Sequence, residues 1–203
     1  MSWVIIILIA TVIVSYQAIN RPHLKERLLY HPYRVHAHNE WYRIFTHAFV
    51  HADFTHLLLN AFVLLQFGSL LERLMEKTTG DSSFALLYFG GVAFAAIPGI
   101  VRHHNNPNYR SLGASGAVSA VLIAYIIHFP TAELLLFFVI PLPAFAVGIL
   151  FFFYEHTMDK RSHGQIAHDA HLWGGLFGLI FTVASAPAVL PAFGVALSTY
   201  LGF

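Results

Sequence analysis

The sequence contains no cysteine, and few of its residues carry a charge. The missing cysteine excludes disulfide bonds, thiol catalysis and cysteine-bound metals. Charged residues make up 10% of the 203 residues, against roughly 25% in an ordinary soluble domain. Hydrophobic residues make up 57%, and the formal net charge of +1 gives no indication of a nucleic-acid partner. This composition predicts an integral membrane protein that is embedded in the lipid bilayer.

Six apolar segments have the length of a membrane-spanning helix. A span needs about 20 predominantly apolar residues, with a range of roughly 17 to 25. The segments are 3–19, 54–73, 84–101, 113–130, 134–154 and 170–187. They predict an all-α, polytopic fold of six transmembrane helices that forms a single membrane domain over residues 1–203. Because the first segment lacks a basic leader and a small-residue cleavage site, we expect it to be retained as a span.

The longest connection is the first loop, residues 20–53, which is polar, aromatic and rich in histidine. Its Trp41, Tyr42 and Phe45 are of the types that favour a membrane interface. We therefore expect part of this loop to lie in the membrane plane. The apolar tail 188–203 is too short for a confident seventh span, and we expect it along the interface.

Polar side chains occur at the start of the second, fourth and sixth spans. Such groups are costly inside a membrane and usually mark function. His56 and Asn60 begin the second span and share a helix face, because they are four residues apart. Ser115 begins the fourth span, while His168 and His171 begin the sixth. Since these three spans start on the same side of the bilayer, their order alone predicts that the groups lie at a similar depth.

Ser115 and His171 have the surroundings of a nucleophile and a base. Ser115 starts a predicted helix, whose first backbone N–H groups have no acceptor within the helix and can hold an oxyanion. Gly174 and Gly178 follow His171 and form a small-residue face that lets two helices pack closely. Such packing would bring His171 within reach of the serine proton. Each feature alone is also explained by ordinary helix packing, but their combination is what acyl transfer requires.

No carboxylate in the sequence is placed to orient His171. Asp169 lies two residues before it and therefore faces elsewhere on a helix. The sequence predicts a dyad of Ser115 and His171 rather than a triad, with no cofactor and no metal.

Three motifs resemble those of the rhomboid family of intramembrane serine proteases. Residues 51–60, HADFTHLLLN, resemble the family's second-helix pattern His-x4-His-x3-Asn. Residues 113–116, GASG, resemble its Gly-x-Ser-Gly motif, and residues 170–178, AHLWGGLFG, resemble its Ala-His-x2-Gly-x3-Gly motif. The order, spacing and span placement of the motifs make the resemblance specific. It covers residues 40–178.

The resemblance implies that Ser115 attacks a peptide carbonyl and that His171 acts first as base and then as acid. It also implies that His56, Asn60 and the backbone N–H of Ser115 hold the oxyanion. The implied substrate is a transmembrane or membrane-anchored protein, and the implied location is the cell membrane, as a multi-pass protein (the inner membrane in a Gram-negative source). The residues expected to support the site are His51, Gly113, Gly116, Gly174 and Gly178.

The sequence departs from the family pattern at two positions. Tyr42-Arg43 stands where the family usually has Trp-Arg. Ser119 stands four residues after the serine, where the family often has an aromatic ring that packs on the catalytic histidine. The support of His171 is therefore open. Orientation is open as well, because the loop lysines and arginines predict an external N-terminus and the resemblance implies a cytoplasmic one; we follow the resemblance.

Pro141 and Pro143 predict a kink in the fifth span. We expect that span to be the mobile wall through which the substrate reaches the site.

Two other functions are compatible with the sequence. One is a histidine-based metal-binding or metal-transporting membrane protein, because neutral imidazole suits zinc. The other is a non-catalytic rhomboid-like protein that holds membrane clients; such relatives generally lack the serine or the histidine. The histidines considered as metal ligands are His47 with His51, His168 with His171, and His103 with His104.

Overall fold

The computed structural model describes residues 2–136, 139–161 and 168–203, and most of these residues are helical. The predicted all-α class is confirmed, with one two-stranded hairpin added to it. A short 3₁₀ turn spans His47–Phe49. The helices and strands, in chain order, are α1 (Trp3–Asn20), α2 (Pro22–Leu28), α3 (Pro32–His38), α4 (Arg43–Thr46), α5 (Phe54–Thr78), α6 (Ser83–Ala95), α7 (Ile97–His103), α8 (Ser115–His128), β1 (Glu133–Leu136), β2 (Ile140–Pro143), α9 (Ala144–Arg161), α10 (His168–Ser185) and α11 (Val189–Leu201).

Three helical segments in the described part of the chain are long and apolar enough to cross a membrane. They are α1, α5 and the stretch Ser83–His103, which contains α6 and α7. The pair α10 and α11 makes a fourth if the two helices, bent by 107° at their junction, are counted as one span. The apolar helix α8 is shorter, with 14 residues. The predicted spans one to four and six coincide with these helices, and the count of six spans stays a prediction.

The prediction of one helix over residues 134–154 is wrong in its first half. There β1 and β2 form an antiparallel hairpin, in which Glu133 pairs with Pro143 and Leu136 with Ile140. Pro141 and Pro143 lie in β2 and do not kink a helix. Proline has no N–H to donate, and both strands of a two-stranded hairpin are edge strands, which tolerate it. Helix α9 begins only at Ala144.

Helix α8 lies at the centre of the bundle, where it packs against α5, α6, α9, α10 and α11. Its closest neighbour is α10, because glycines let the two backbones meet. A Cβ atom added at Gly174 would lie 2.0 Å from the carbonyl oxygen of Gly116, and one at Gly178 would lie 2.3 Å from that of Ala120. This is the close approach that the small-residue spacing predicted. It fixes the first turns of α8 and α10 against each other.

The first loop folds around a buried arginine. Arg43 is 1% exposed, and its Nη1 donates to the carbonyl oxygens of Glu26 at 2.9 Å and Leu29 at 2.8 Å. The loop is also tied to the segment before α8, because Tyr30 and Ser111 exchange backbone hydrogen bonds of 2.9 and 3.1 Å. The loop therefore helps to hold the residues that lead into Ser115. Its position in the membrane plane stays a prediction.

Candidate active site

Ser115 and His171 lie within hydrogen-bonding distance of each other. Ser115 is the first residue of α8, and His171 is in the first turn of α10. Ser115 Oγ is 2.7 Å from His171 Nε2. The hydroxyl can therefore donate its proton to Nε2, which is the geometry that a nucleophile and its general base require. Both side chains are partly buried.

A tight turn leads the chain into Ser115. Gly113 has a φ of +111°, in the left-handed region that side chains rarely adopt. Its N–H donates to the carbonyl oxygen of His47 at 3.0 Å. A Cβ atom at Gly113 would lie 2.7 Å from Cε1 of His56, so glycine is required for the turn and also for the position of that ring. On the other side of the serine, a Cβ at Gly116 would lie 2.4 Å from Cβ of Ala95 on α6.

His51 holds the same turn from the side. Its Nε2 accepts a hydrogen bond from the backbone N–H of Ala114 at 3.3 Å. Its Nδ1 is 2.8 Å from Oγ of Ser15, whose hydroxyl donates to the carbonyl oxygen of Phe49 at 2.8 Å. The proton of the ring is therefore on Nδ1. Burial, with the neighbouring His56 adding to it, lowers the pKa of His51 to about 3, so the ring is neutral when it accepts from Ala114.

His56 and Asn60 lie on α5 beside this turn. The helix is capped by Asp53, whose Oδ1 accepts from the N–H of His56 at 2.8 Å. The His56 ring meets the His51 ring edge-on, with 4.9 Å between their centroids. The amide Nδ2 of Asn60 donates to the carbonyl oxygen of His56 at 2.9 Å, one turn back. An amide NH₂ carries two hydrogens, so Asn60 keeps one for a further acceptor.

The prediction that no carboxylate is placed to orient His171 is wrong. Oε1 of Glu155, on α9, is 3.1 Å from Nδ1 of His171. Oε2 of the same carboxylate is 2.6 Å from Nδ1 of His168. As predicted, Asp169 faces elsewhere: its Oδ2 is 3.2 Å from Nη1 of Arg102.

Sequence reasoning missed Glu155 and Ser15, and each had a weak signal. Glu155 is an acidic residue that directly follows a long apolar run, one position beyond the predicted fifth span. Ser15 is a hydroxyl residue within the apolar first span, fully buried in the structure. Polar groups in such surroundings usually have a partner, but the partner cannot be read from the local pattern.

Ser119 does not support His171. Its hydroxyl donates to the carbonyl oxygen of Ser115 at 2.8 Å, within the same helix. This is the common local bond of a serine to the carbonyl four residues earlier. Contact with His171 comes instead from Glu155 and from the His168 ring, whose centroid is 6.0 Å from that of His171.

One group among the described residues could hold a metal ion. The ligand atoms of Glu155, His168 and His171 all lie within 4.8 Å of one another. Two imidazoles and a carboxylate are a donor set that zinc accepts. Glu155 forms a hydrogen bond with His168 and lies 3.1 Å from Nδ1 of His171, so the arrangement is explained without an ion.

The other histidines that the sequence proposed as metal ligands have separate partners. His47 Nδ1 is 3.0 Å from the carbonyl oxygen of Arg43, and His104 Nδ1 is 3.0 Å from that of Ile100. The His103 ring stacks on Tyr109, with 3.8 Å between centroids. These contacts explain the positions of the three rings without a metal ion.

The fold and this site together define a helical membrane protein with a serine–histidine pair at the start of two tightly packed helices. Residues 38–187 match the Rhomboid domain. The chain therefore belongs to the rhomboid family, a family of intramembrane proteases that act on membrane proteins within the bilayer.

Individual relatives agree with this assignment. RHOMBOID-like protein 12, mitochondrial, of Arabidopsis thaliana is 30% identical over 148 residues, which are 68% of this chain and 44% of the relative. Rhomboid protein 1, mitochondrial, of Saccharomyces cerevisiae is 31% identical over 142 residues, which are 66% and 39% of the two chains. YdcA of Bacillus subtilis, a proposed rhomboid protease, is 35% identical over 91 residues, 44% and 42%. The chain thus spans less than half the length of each of these relatives.

Proposed function

We propose that this protein is an intramembrane serine endopeptidase that cleaves transmembrane or membrane-anchored proteins, with Ser115 as nucleophile and His171 as general base. The observation that carries the proposal is the 2.7 Å contact between Ser115 Oγ and His171 Nε2 at the N-terminus of α8. A hydrophobic bundle around the pair supports a substrate that is itself in the membrane. The proposed location is the cell membrane, as a multi-pass protein (the inner membrane in a Gram-negative source).

The reaction proceeds in two halves. Ser115 Oγ attacks the peptide carbonyl carbon while its proton moves to His171 Nε2, and the carbonyl electron pair forms an oxyanion. When the oxyanion collapses, the C–N bond breaks and the leaving amine takes the proton from His171. A water molecule then attacks the acyl-enzyme, passes a proton to His171, and releases the acid as the proton returns to Ser115. No cofactor takes part in this sequence.

Three donors are available for the oxyanion. The N–H of Ser115 is one of the first in its helix, where the backbone has no intrahelical acceptor. His56 packs on the turn at Gly113, and Asn60 has one amide hydrogen left beside it. Removing one such donor typically lowers the rate about 10²- to 10³-fold. We expect losses of that order for the substitutions His56→Ala and Asn60→Ala.

A serine-reactive fluorophosphonate probe tests the proposal. The purified protein in detergent is incubated with the probe and compared with Ser115→Ala and His171→Ala, with and without a chelator. We expect labelling of the wild type only, unaffected by the chelator. Ser119→Ala is the matched control, because its hydroxyl bonds only within its own helix in the contacts described above, and it should label like the wild type. A folded wild type that does not label would contradict the proposal and favour the non-catalytic, client-holding function.

The metal-binding function is a second candidate, because Glu155, His168 and His171 form a three-ligand group. It predicts that the purified protein retains zinc and that His168→Ala abolishes the retention. It also predicts that a chelator changes activity or stability. Measurement of the zinc content of the purified wild type and of His168→Ala tests this candidate, and a wild type without zinc would contradict it.

A further inference from the structure

Glu155 contacts the candidate base on the side opposite to the nucleophile. His171 has Ser115 Oγ 2.7 Å from Nε2 and Glu155 Oε1 3.1 Å from Nδ1. The two ring nitrogens are therefore both engaged. Glu155 itself is almost completely buried, and its carboxylate lies between the rings of His168 and His171.

The carboxylate determines which nitrogen of His171 carries the proton. An ionised carboxylate can only accept hydrogen bonds. Nδ1 of His171 must therefore be the protonated nitrogen, and Nε2 keeps the lone pair that faces Ser115. This is the tautomer that a general base needs at that position. The other tautomer would place a proton on Nε2, where it cannot accept from the serine.

The charge of Glu155 acts when the proton is transferred. After His171 takes the proton of Ser115, its ring is a cation with a carboxylate at 3.1 Å. Hydrogen bonds to charged groups are the strong ones, and they strengthen further away from water. The carboxylate is in place before the reaction, since Oε2 is fixed by His168 at 2.6 Å.

We infer that Glu155 is a positioning residue for His171: it selects the productive tautomer and stabilises the imidazolium, so that the site works as a carboxylate–histidine–serine chain. It takes the place of the aromatic support that Ser119 does not provide. His168 is the second contact of the carboxylate and holds it in position. The inference rests on the proposed function of Ser115 and His171.

Glu155→Gln tests the charge while it keeps the size and one acceptor oxygen of the side chain. The readout is the rate of fluorophosphonate labelling, measured over a range of probe concentrations in chelator-treated protein. We expect the limiting rate at saturating probe to fall about 10- to 100-fold, since a hydrogen bond to a charged group has about that effect. The half-saturating probe concentration should stay unchanged, and the melting temperature should fall no further than in His168→Gln, which also loses the contact between Glu155 and His168.

Two control variants distinguish a residue that positions His171 from one that only holds α9 against α10. Asp159→Asn removes a carboxylate one turn further along α9, where it pairs with Arg102 at 3.3 Å, and should label within about twofold of the wild type. His168→Gln removes the second contact of Glu155 but leaves the contact with His171, and should lower the limiting rate less than Glu155→Gln does. If Glu155→Gln labels like the wild type, the inference is wrong. If Glu155→Gln and His168→Gln lose rate and melting temperature in parallel, Glu155 only joins α9 to α10 and the inference is also wrong.

A second measurement does not depend on turnover. In ¹⁵N-histidine NMR spectra of the detergent-solubilised protein, we expect His171 to be protonated at Nδ1 and that N–H signal to move in Glu155→Gln. A wild type that does not label overturns the proposed function, and the NMR result then decides the inference separately. Protonation of His171 at Nε2 in the wild type would overturn it.

Discussion

Gly174→Ala should disable the site although it adds only one methyl group. Gly174 is three residues after His171 on α10, and Gly116 is next to Ser115 on α8. A Cβ atom at position 174 would lie 2.0 Å from the carbonyl oxygen of Gly116. Both atoms belong to helix backbones or are attached to them directly, so neither can turn aside as the end of a flexible side chain could.

The size of the effect follows from this distance. Ordinary van der Waals contact at a Cβ begins at 3.4 Å, so the two helices must separate by about 1.4 Å at this point. The same movement would lengthen the 2.7 Å contact between Ser115 and His171 to about 4 Å, beyond a hydrogen bond. A misplacement of about 1 Å can cost 10²-fold in rate. Overpacking also costs about 1–3 kcal/mol in the free energy of unfolding.

Labelling by the fluorophosphonate probe and thermal unfolding in detergent measure the two effects. We expect Gly174→Ala to label at least about 100-fold more slowly than the wild type and to unfold at a lower temperature. Gly194→Ala is the matched control, because a Cβ at Gly194, on α11, meets no atom of the described residues within 4 Å. It should match the wild type in both assays. Wild-type labelling by Gly174→Ala would refute the reasoning that the backbone approach of α8 and α10 sets the geometry of the pair.

Other predictions address the turn before α8 and access to the site. Burial lowers the pKa of His47 to about 4 and that of His51 to about 3, both below the ordinary value of 6.5. Below pH 6.5 the unfolded chain therefore binds protons that the folded chain does not, and we expect the free energy of unfolding to be lower at pH 5.5 by about 1.4 kcal/mol for each histidine. Thermal unfolding at pH 7.5 and 5.5 measures this loss. Gly113→Ala should abolish probe labelling, because its Cβ would lie 2.7 Å from the His56 ring at a φ of +111°; unchanged labelling would contradict this. Asp53→Ala should lower the free energy of unfolding by about 1 kcal/mol through loss of the α5 cap, whereas Asp53→Asn, which can still cap, should not. A disulfide between cysteines introduced on α5 and α9 should block cleavage of a membrane substrate, and reduction of the disulfide should restore cleavage. Equal cleavage in the oxidised and reduced states would argue against α9 as the mobile wall.

The residues that the sequence did predict are those set by local periodicity. Ser115 and His171 each begin a helix, and small residues recur at helical spacing in both segments. Such spacing determines which faces can approach closely. The approach of Gly174 to Gly116 and of Gly178 to Ala120 follows from it. The close contact of Ser115 and His171 therefore follows from helix packing that the spacing of small residues in the sequence predicts.

The carboxylate contact had no comparable signal. Its position depends on the rotation of α9 about its axis, and that rotation depends on where the helix begins. The apolar run suggested a helix from residue 134, but the chain first forms a hairpin and enters α9 at Ala144. A change of one residue in the start of a helix turns every side chain by about 100°. The direction of Glu155 therefore could not be derived from the spacing of apolar residues.

Helix α9 carries Glu155 and is also the helix that we expect to move when a substrate enters. Ser119 bonds within α8, so the buried contact of His171 on its Nδ1 side comes from α9, through Glu155. The same carboxylate contacts His168, and Arg102 pairs with Asp159 near the end of α9. If α9 moves to admit a substrate, as we expect of the mobile wall, the carboxylate moves relative to His171 as well. The base would then reach its productive tautomer only after α9 has returned against α10, which would make proton transfer depend on closure of the site around the substrate.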